Sequence, residues 1–170
     1  MKLAFLVPVL FLALVAVGGT SSMLEMTPPI SGLTLANLRD TYEEIHNGHR
    51  HEAIDIIEPR GTPVRAVVRG TIRKLFLSKP GGNTIYEFDE KSEYCYYYAH
   101  LDRYAEGLHE GMSVKPGDVI GFVGSTGNAA ENAPHLHFAI FELGPEKQWW
   151  RGQAVNPYPS LVDAVKRSKL

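Results

Sequence analysis

The chain has 170 residues, a formal net charge of -2 at pH 7 and one cysteine, which fits a single domain whose core holds without an internal disulfide. Its basic residues are scattered along the chain, and this argues against a nucleic-acid surface.

Met1-Lys2 precede an apolar run from Leu3 to Val17, which exits through Gly18-Gly19-Thr20-Ser21-Ser22. A short positive start, an apolar run and small residues after it predict a secretory signal peptide over residues 1–22, with Ala16-Val17-Gly18 a candidate cleavage site. The run falls short of the roughly 20 residues a transmembrane helix needs, and Pro8 interrupts it. An exported chain with no stable membrane insertion after cleavage is expected, an uncleaved anchor being the alternative. The only cysteine, Cys95, lies far from the end of the run, where a lipoprotein needs one to carry its acyl chains, so an anchor of that kind is not expected.

Residues 23–45 read as a lead-in. Thr27-Pro28-Pro29 is stiff, and from Thr34 the spacing of Leu35, Leu38 and Tyr42 predicts a short helix. Residues 46–170 read as the main domain. Short strands are predicted at Ala53–Ile57, Pro63–Arg69, Thr71–Leu77, Thr84–Asp89, Tyr94–His100, Val119–Val123 and His135–Glu142. Turn residues separate them, among them Pro80-Gly81-Gly82, Lys115-Pro116-Gly117-Asp118 and Gly124–Gly127. Many short strands with regular turns predict a mainly all-β chain: a compact antiparallel sandwich or open barrel, with one or two short peripheral helices. One of those helices is predicted over Leu161–Arg167, capped by Ser160.

Three places carry candidate chemistry. In His135-Leu136-His137-Phe138-Ala139-Ile140, strand alternation sends Leu136, Phe138 and Ile140 to one face and both histidines to the other. In His51-Glu52-Ala53-Ile54-Asp55 the spacing of four brings an imidazole and a carboxylate to one side of either a strand or a helix. In Tyr96-Tyr97-Tyr98-Ala99-His100, period two puts Tyr98 and His100 on one face and Tyr97 and Ala99 on the other. Each motif alone is commonly an ordinary strand edge or surface pair. Together, His51, Asp55 and one imidazole from the 135/137 pair supply two histidines and a carboxylate, a set that leaves a fourth position open on a catalytic metal. His46, His49 and His109 lie in polar stretches that read as loops and carry no expected role.

His51-x3-Asp55, Tyr98-Ala99-His100-Leu101 and His135-Leu136-His137 follow one another as in the lysostaphin/LytM-type zinc metallopeptidases, which this chain resembles over roughly residues 46 to 143. Gly61-Thr62-Pro63-Val64 and Gly117-Asp118-Val119-Ile120-Gly121 agree with the same pattern. The resemblance implies a compact antiparallel β domain with a narrow groove and one Zn2+ per chain, held by His51, Asp55 and His137. It implies that His100 and His135 are the catalytic histidines beside the metal. It also implies an endopeptidase cutting the stem-peptide cross-links of bacterial cell-wall peptidoglycan, which suits a periplasmic or envelope location. One departure stands out: relatives usually have glycine where Ala53 stands, and the added methyl requires a negative φ there.

The chemistry follows from the residue types. A zinc bound by two neutral imidazoles and one carboxylate lowers the pKa of its water to about 7 and polarises a carbonyl. One neighbouring histidine can move the proton, and another can donate to the developing oxyanion; spacing does not say which does which. Two other readings compete. A non-catalytic relative that activates other wall hydrolases would lack ligands, whereas all are present here. A biotinyl/lipoyl-type carrier, suggested by Gly111-Met112-Ser113-Val114-Lys115-Pro116-Gly117-Asp118, would leave the five site residues without a purpose.

Overall fold

The computed structural model describes residues 24–46 and 48–169. The expected signal peptide therefore lies outside the described residues. The strands, in chain order, are β1 (Ile45–His46), β2 (His49–Arg50), β3 (Ile54–Ile57), β4 (Pro63–Arg65), β5 (Gly70–Ser78) and β6 (Gly82–Asp89). There follow β7 (Tyr94–Tyr104), β8 (Ser113–Val114), β9 (Val119–Val123), β10 (His135–Leu143), β11 (Gly152–Val155) and one helix, α1 (Tyr158–Arg167). All pairings are antiparallel, and the main path runs β11-β10-β7-β6-β5-β8. The sheet does not close into a barrel.

Two strands, β7 and β10, serve three partners each. The first half of β10 pairs with β3 and its second half with β11. The long β7 runs on past β10, and its end pairs with β9, which carries β4. One face of this assembly is the core. Leu136, Phe138 and Ile140 of β10 are fully buried there with Tyr98, Ile85, Val64 and Ile120, as the alternation predicts.

The lead-in closes the core from below. Met26, Ile30, Leu33, Leu38 and Tyr42 belong to the same apolar cluster, and Ile30 bridges to Val64. The helix expected from Thr34 is absent. Leu35 is 42% exposed instead of facing inward. Side chains compete for the backbone there: Asp40 accepts from the Tyr42 amide, and Thr34 donates to Asn37, so the stretch settles as turns.

At the other end, α1 starts three residues earlier than predicted, with Pro157 at its N-cap and Pro159 in its first turn. Proline is tolerated there because first-turn amides have no partner inside the helix. Ser160 is therefore not a cap. It is buried inside the helix, and its Oγ accepts the amide of Leu24 at 2.9 Å, tying the two chain ends together.

Candidate metal centre

The site is a consequence of sheet register. His137 on β10 lies directly opposite Asp55 on β3 and Ala99 on β7, so all three share the face away from the core. Residues directly opposite across antiparallel strands have Cβ atoms about 5 Å apart, and a carboxylate and an imidazole can meet across that gap. His51 arrives from the loop just before β3. Its amide donates to Glu44 O, and Glu52, at φ 55°, makes the turn that aims it. The positive φ falls on Glu52, whereas Ala53 has none and is fully buried, so the methyl that replaces glycine is accommodated.

Three donor atoms converge. His51 Nε2 lies 3.0 Å from His137 Nδ1 and 3.1 Å from Asp55 Oδ1, and His137 Nδ1 lies 3.2 Å from that same oxygen. A tetrahedral zinc with bonds of about 2.1 Å has ligand atoms roughly 3.4 Å apart, so this triangle fits one face of such a tetrahedron. His51 is held for that role: its Nδ1–H donates to Thr41 O at 3.0 Å, which leaves the Nε2 lone pair facing inward. The Thr41 hydroxyl, in turn, donates to Ala53 O and accepts the amide of Asp55. The lead-in thus props the site from behind.

The two remaining histidines stand alongside. The His100 ring is 4.9 Å from that of His135 and 5.5 Å from that of His137. Each gives its Nδ1–H to a backbone carbonyl, His100 to Thr126 at 2.8 Å and His135 to Ala133 at 2.9 Å, so each points Nε2 outward. His135 Nε2 lies 3.8 Å from Asp55 Oδ2, the oxygen turned away from the triangle. The two histidines that period two left equivalent thus differ in position: Nδ1 of His137 is in the triangle, and His135 is at its rim.

His100 reaches this face by a device that the period-two reading misses. Tyr98 is buried in the core, so strict alternation would send His100 there too. Instead His100 has φ 60°, and the register between β6 and β7 shifts between Asn83 and Ile85. This is a bulge: one extra residue turns the side chain to the opposite face, and β7 continues to Tyr104. A non-glycine residue at positive φ is uncommon and strained, and such residues gather at functional sites.

The electrostatics are dominated by Asp55. Burial would raise its pKa, but hydrogen bonds and charge from His137 and His51 outweigh it and hold the carboxyl well below the usual range. Burial also works against a charged His51, yet Asp55 overcomes it and raises that pKa; for His137 burial wins, and its pKa is lowered. Burial pulls His100 down to about 4, so at neutral pH its ring is uncharged with a free Nε2 lone pair. Cys95 is fully buried with its thiol pushed up by burial, which removes it as a nucleophile.

His46, which carried no expectation, also brings a donor atom within 4.8 Å of those of His51 and Asp55. Its ring lies flat on that of His51, with centroids 4.3 Å apart and planes 18° apart. Imidazole lone pairs lie in the ring plane, so two stacked rings do not aim at a common point. His51 and His137, at 72°, do. The tighter triangle with His137 is the better metal site.

With this geometry in hand, likeness to known proteins can be placed. Residues 49–157 match peptidase family M23, and the chain belongs to that family. It is 34% identical over 116 residues to an L-Ala--D-Glu endopeptidase of Bacillus subtilis, covering 65% of this chain and 34% of that protein. It is 37% identical over 129 residues to the DD-carboxypeptidase/endopeptidase Mpg of Neisseria meningitidis, covering 72% of this chain and 26% of that protein. The chain thus spans about a third or less of the length of these relatives. Its fold is similar to the catalytic domain of lysostaphin from Staphylococcus simulans, with a TM-score of 0.58 and 30% identity over 81% of this chain and 89% of that one.

Proposed function

We propose that the chain is a zinc endopeptidase that hydrolyses peptide cross-links of bacterial peptidoglycan. The observation that carries this reading is the triangle of His51 Nε2, Asp55 Oδ1 and His137 Nδ1, all within 3.2 Å, with the rings of His135 and His100 beside it. Membership of peptidase family M23 and the wall-peptide activities named for its relatives support it.

Zinc held by His51, Asp55 and His137 supplies Lewis acidity toward the scissile carbonyl and makes the attacking water more acidic. The chain's own residues do the rest. His100 is uncharged at neutral pH, and its free Nε2 is the base that takes the water's proton. Its donation to Thr126 O fixes the tautomer, so the ring cannot offer the wrong nitrogen. His135 stands beside the Asp55 carboxylate; with Nδ1–H given to Ala133 O, it is assigned to donate toward the oxygen that gains negative charge when Nε2 also carries a proton. The proton then passes to the leaving amine. Residues 1–22 act as the export signal that brings the protein to the wall, with residues 23–170 as the mature chain.

The test is digestion of defined cross-linked muropeptides by the mature protein, with mass spectrometry of the products and zinc measured on the same sample. Loss of one cross-link with gain of one water supports the reading. Intact muropeptides with a full complement of zinc would refute it.

A further inference from the structure

The open face of the sheet carries an unbroken run of aromatic rings that begins at the metal centre. The Tyr97 ring meets that of His137 edge-on at 6.0 Å, Tyr86 lies 4.7 Å beyond Tyr97, and Trp149 lies 4.7 Å beyond Tyr86. Trp150 follows at 5.3 Å, and Phe141 flanks Tyr97 at 6.2 Å. These rings enclose a hollow of about 280 Å³, closed at its edge by Arg151 and Gly152.

Packing explains only part of this. Phe88, Cys95 and Leu143 form a small buried cluster on this face, and Tyr86, Phe141 and Trp149 cover it. Trp150 does not belong to that cluster and is 63% exposed. An exposed indole continuous with an aromatic hollow marks a binding surface.

We propose that this hollow is a sugar subsite, which stacks a pyranose ring of the glycan strand whose stem peptide occupies the metal centre. The inference rests on the peptidoglycan reading above. Three features select a sugar. A pyranose has an apolar C–H face bordered by hydroxyls, which matches flat rings whose Tyr and Trp edges are polar. The only charge lining the hollow is Arg151, a donor suited to ring hydroxyls and to the lactyl oxygens that join sugar to peptide. The distance also fits. Three ring-to-ring steps of 6.0, 4.7 and 4.7 Å link His137 to Trp149 and set an upper limit on their separation, and an extended peptide advances about 3.3 Å per residue. A stem peptide of roughly four residues therefore reaches from a scissile bond over the histidines to its anchoring sugar at the tryptophans.

The chain's two tryptophans are Trp149 and Trp150, so tryptophan emission, excited selectively over the tyrosines, reports on this hollow alone. Titrating the zinc-loaded mature protein with N-acetylglucosaminyl-N-acetylmuramic acid should give a saturable shift, weakened at least about tenfold in Trp150→Ala. Trp150 is largely exposed, so its removal empties no core position. The ratio of kcat/KM for disaccharide-bearing over sugar-free cross-linked peptide should fall about tenfold in the same variant. A shift with the sugar-free tetrapeptide and none with the disaccharide would overturn the subsite, as would an unchanged ratio. Cleavage without a sugar response sinks the subsite and spares the proposed activity. A sugar response without cleavage does the reverse.

Discussion

Single side chains in this protein differ sharply in what their loss should do. His137 and His135 are two residues apart on one face, yet only His137 stands in the donor triangle. His137→Ala is expected to lose zinc and hydrolysis together, because a missing ligand empties the site. His135→Ala should keep near-normal zinc and lose at least about 100-fold in rate, the usual worth of one donor to a developing oxyanion. Zinc content and rate on the same preparations decide between them, and a metal-free His135→Ala would reverse the assignment. Glu87 offers a second test, away from the site. It is fully buried, donates nothing when ionised, and accepts the Tyr98 hydroxyl at 2.5 Å, while its Oε1 has no partner among the described residues. Burial pushes its pKa up to about 7, against the pull of that hydroxyl. The folded state therefore binds the extra proton between an unfolded value near 4.5 and about 7, and stability falls as pH rises through that window. Integrated over the window the loss is on the order of 3 kcal/mol. Denaturation of Glu87→Gln from pH 4.5 to 8 should show that slope flattened; an unchanged slope would mean that Glu87 does not titrate there.

At the scale of elements, the bulge in β7 makes an unusual prediction. Glycine in a strand normally costs about 0.5–1 kcal/mol relative to alanine. At position 100 the order should invert, because φ is 60° there and alanine keeps the left-handed strain of about 1–2 kcal/mol that glycine escapes. His100→Gly should thus unfold at higher denaturant than His100→Ala, although both lose the imidazole. The same bulge marks where the sequence stops being readable. Alternation located the core face of β10 correctly, since Leu136, Phe138 and Ile140 are all fully buried. Alternation assumes an unbroken register, and it put His100 with Tyr98, on the wrong face. Short pairings such as β1 with β2, β8 and β11 were not legible either, because two to four residues carry too little pattern. Thr41 had no signal at all: its carbonyl, which holds His51, is the same in every residue type.

Across the whole molecule, the donor triangle joins distant parts of the chain, with His137 86 residues from His51 and 82 from Asp55. A zinc bound only by the folded form should stabilise it by on the order of 4 kcal/mol at a thousandfold excess over Kd. Chelation is therefore expected to lower Tm in the parent protein and to change little in Asp55→Ala, which should already lack most of its metal. Equal falls in both would separate Asp55 from the site.

The split of that triangle between β3 and β10 also sets a timetable. As the chain is synthesised from its N-terminus, His51 and Asp55 emerge with no third donor to meet. At about 5–20 residues per second, the 82 residues to His137 take roughly 4–16 s. Among the described residues β3 pairs in the sheet only with β10, so it too must wait for that strand. A ribosome-bound fragment that ends before β10 should consequently hold no ordered site, and the proposed activity would stay silent until synthesis was nearly done.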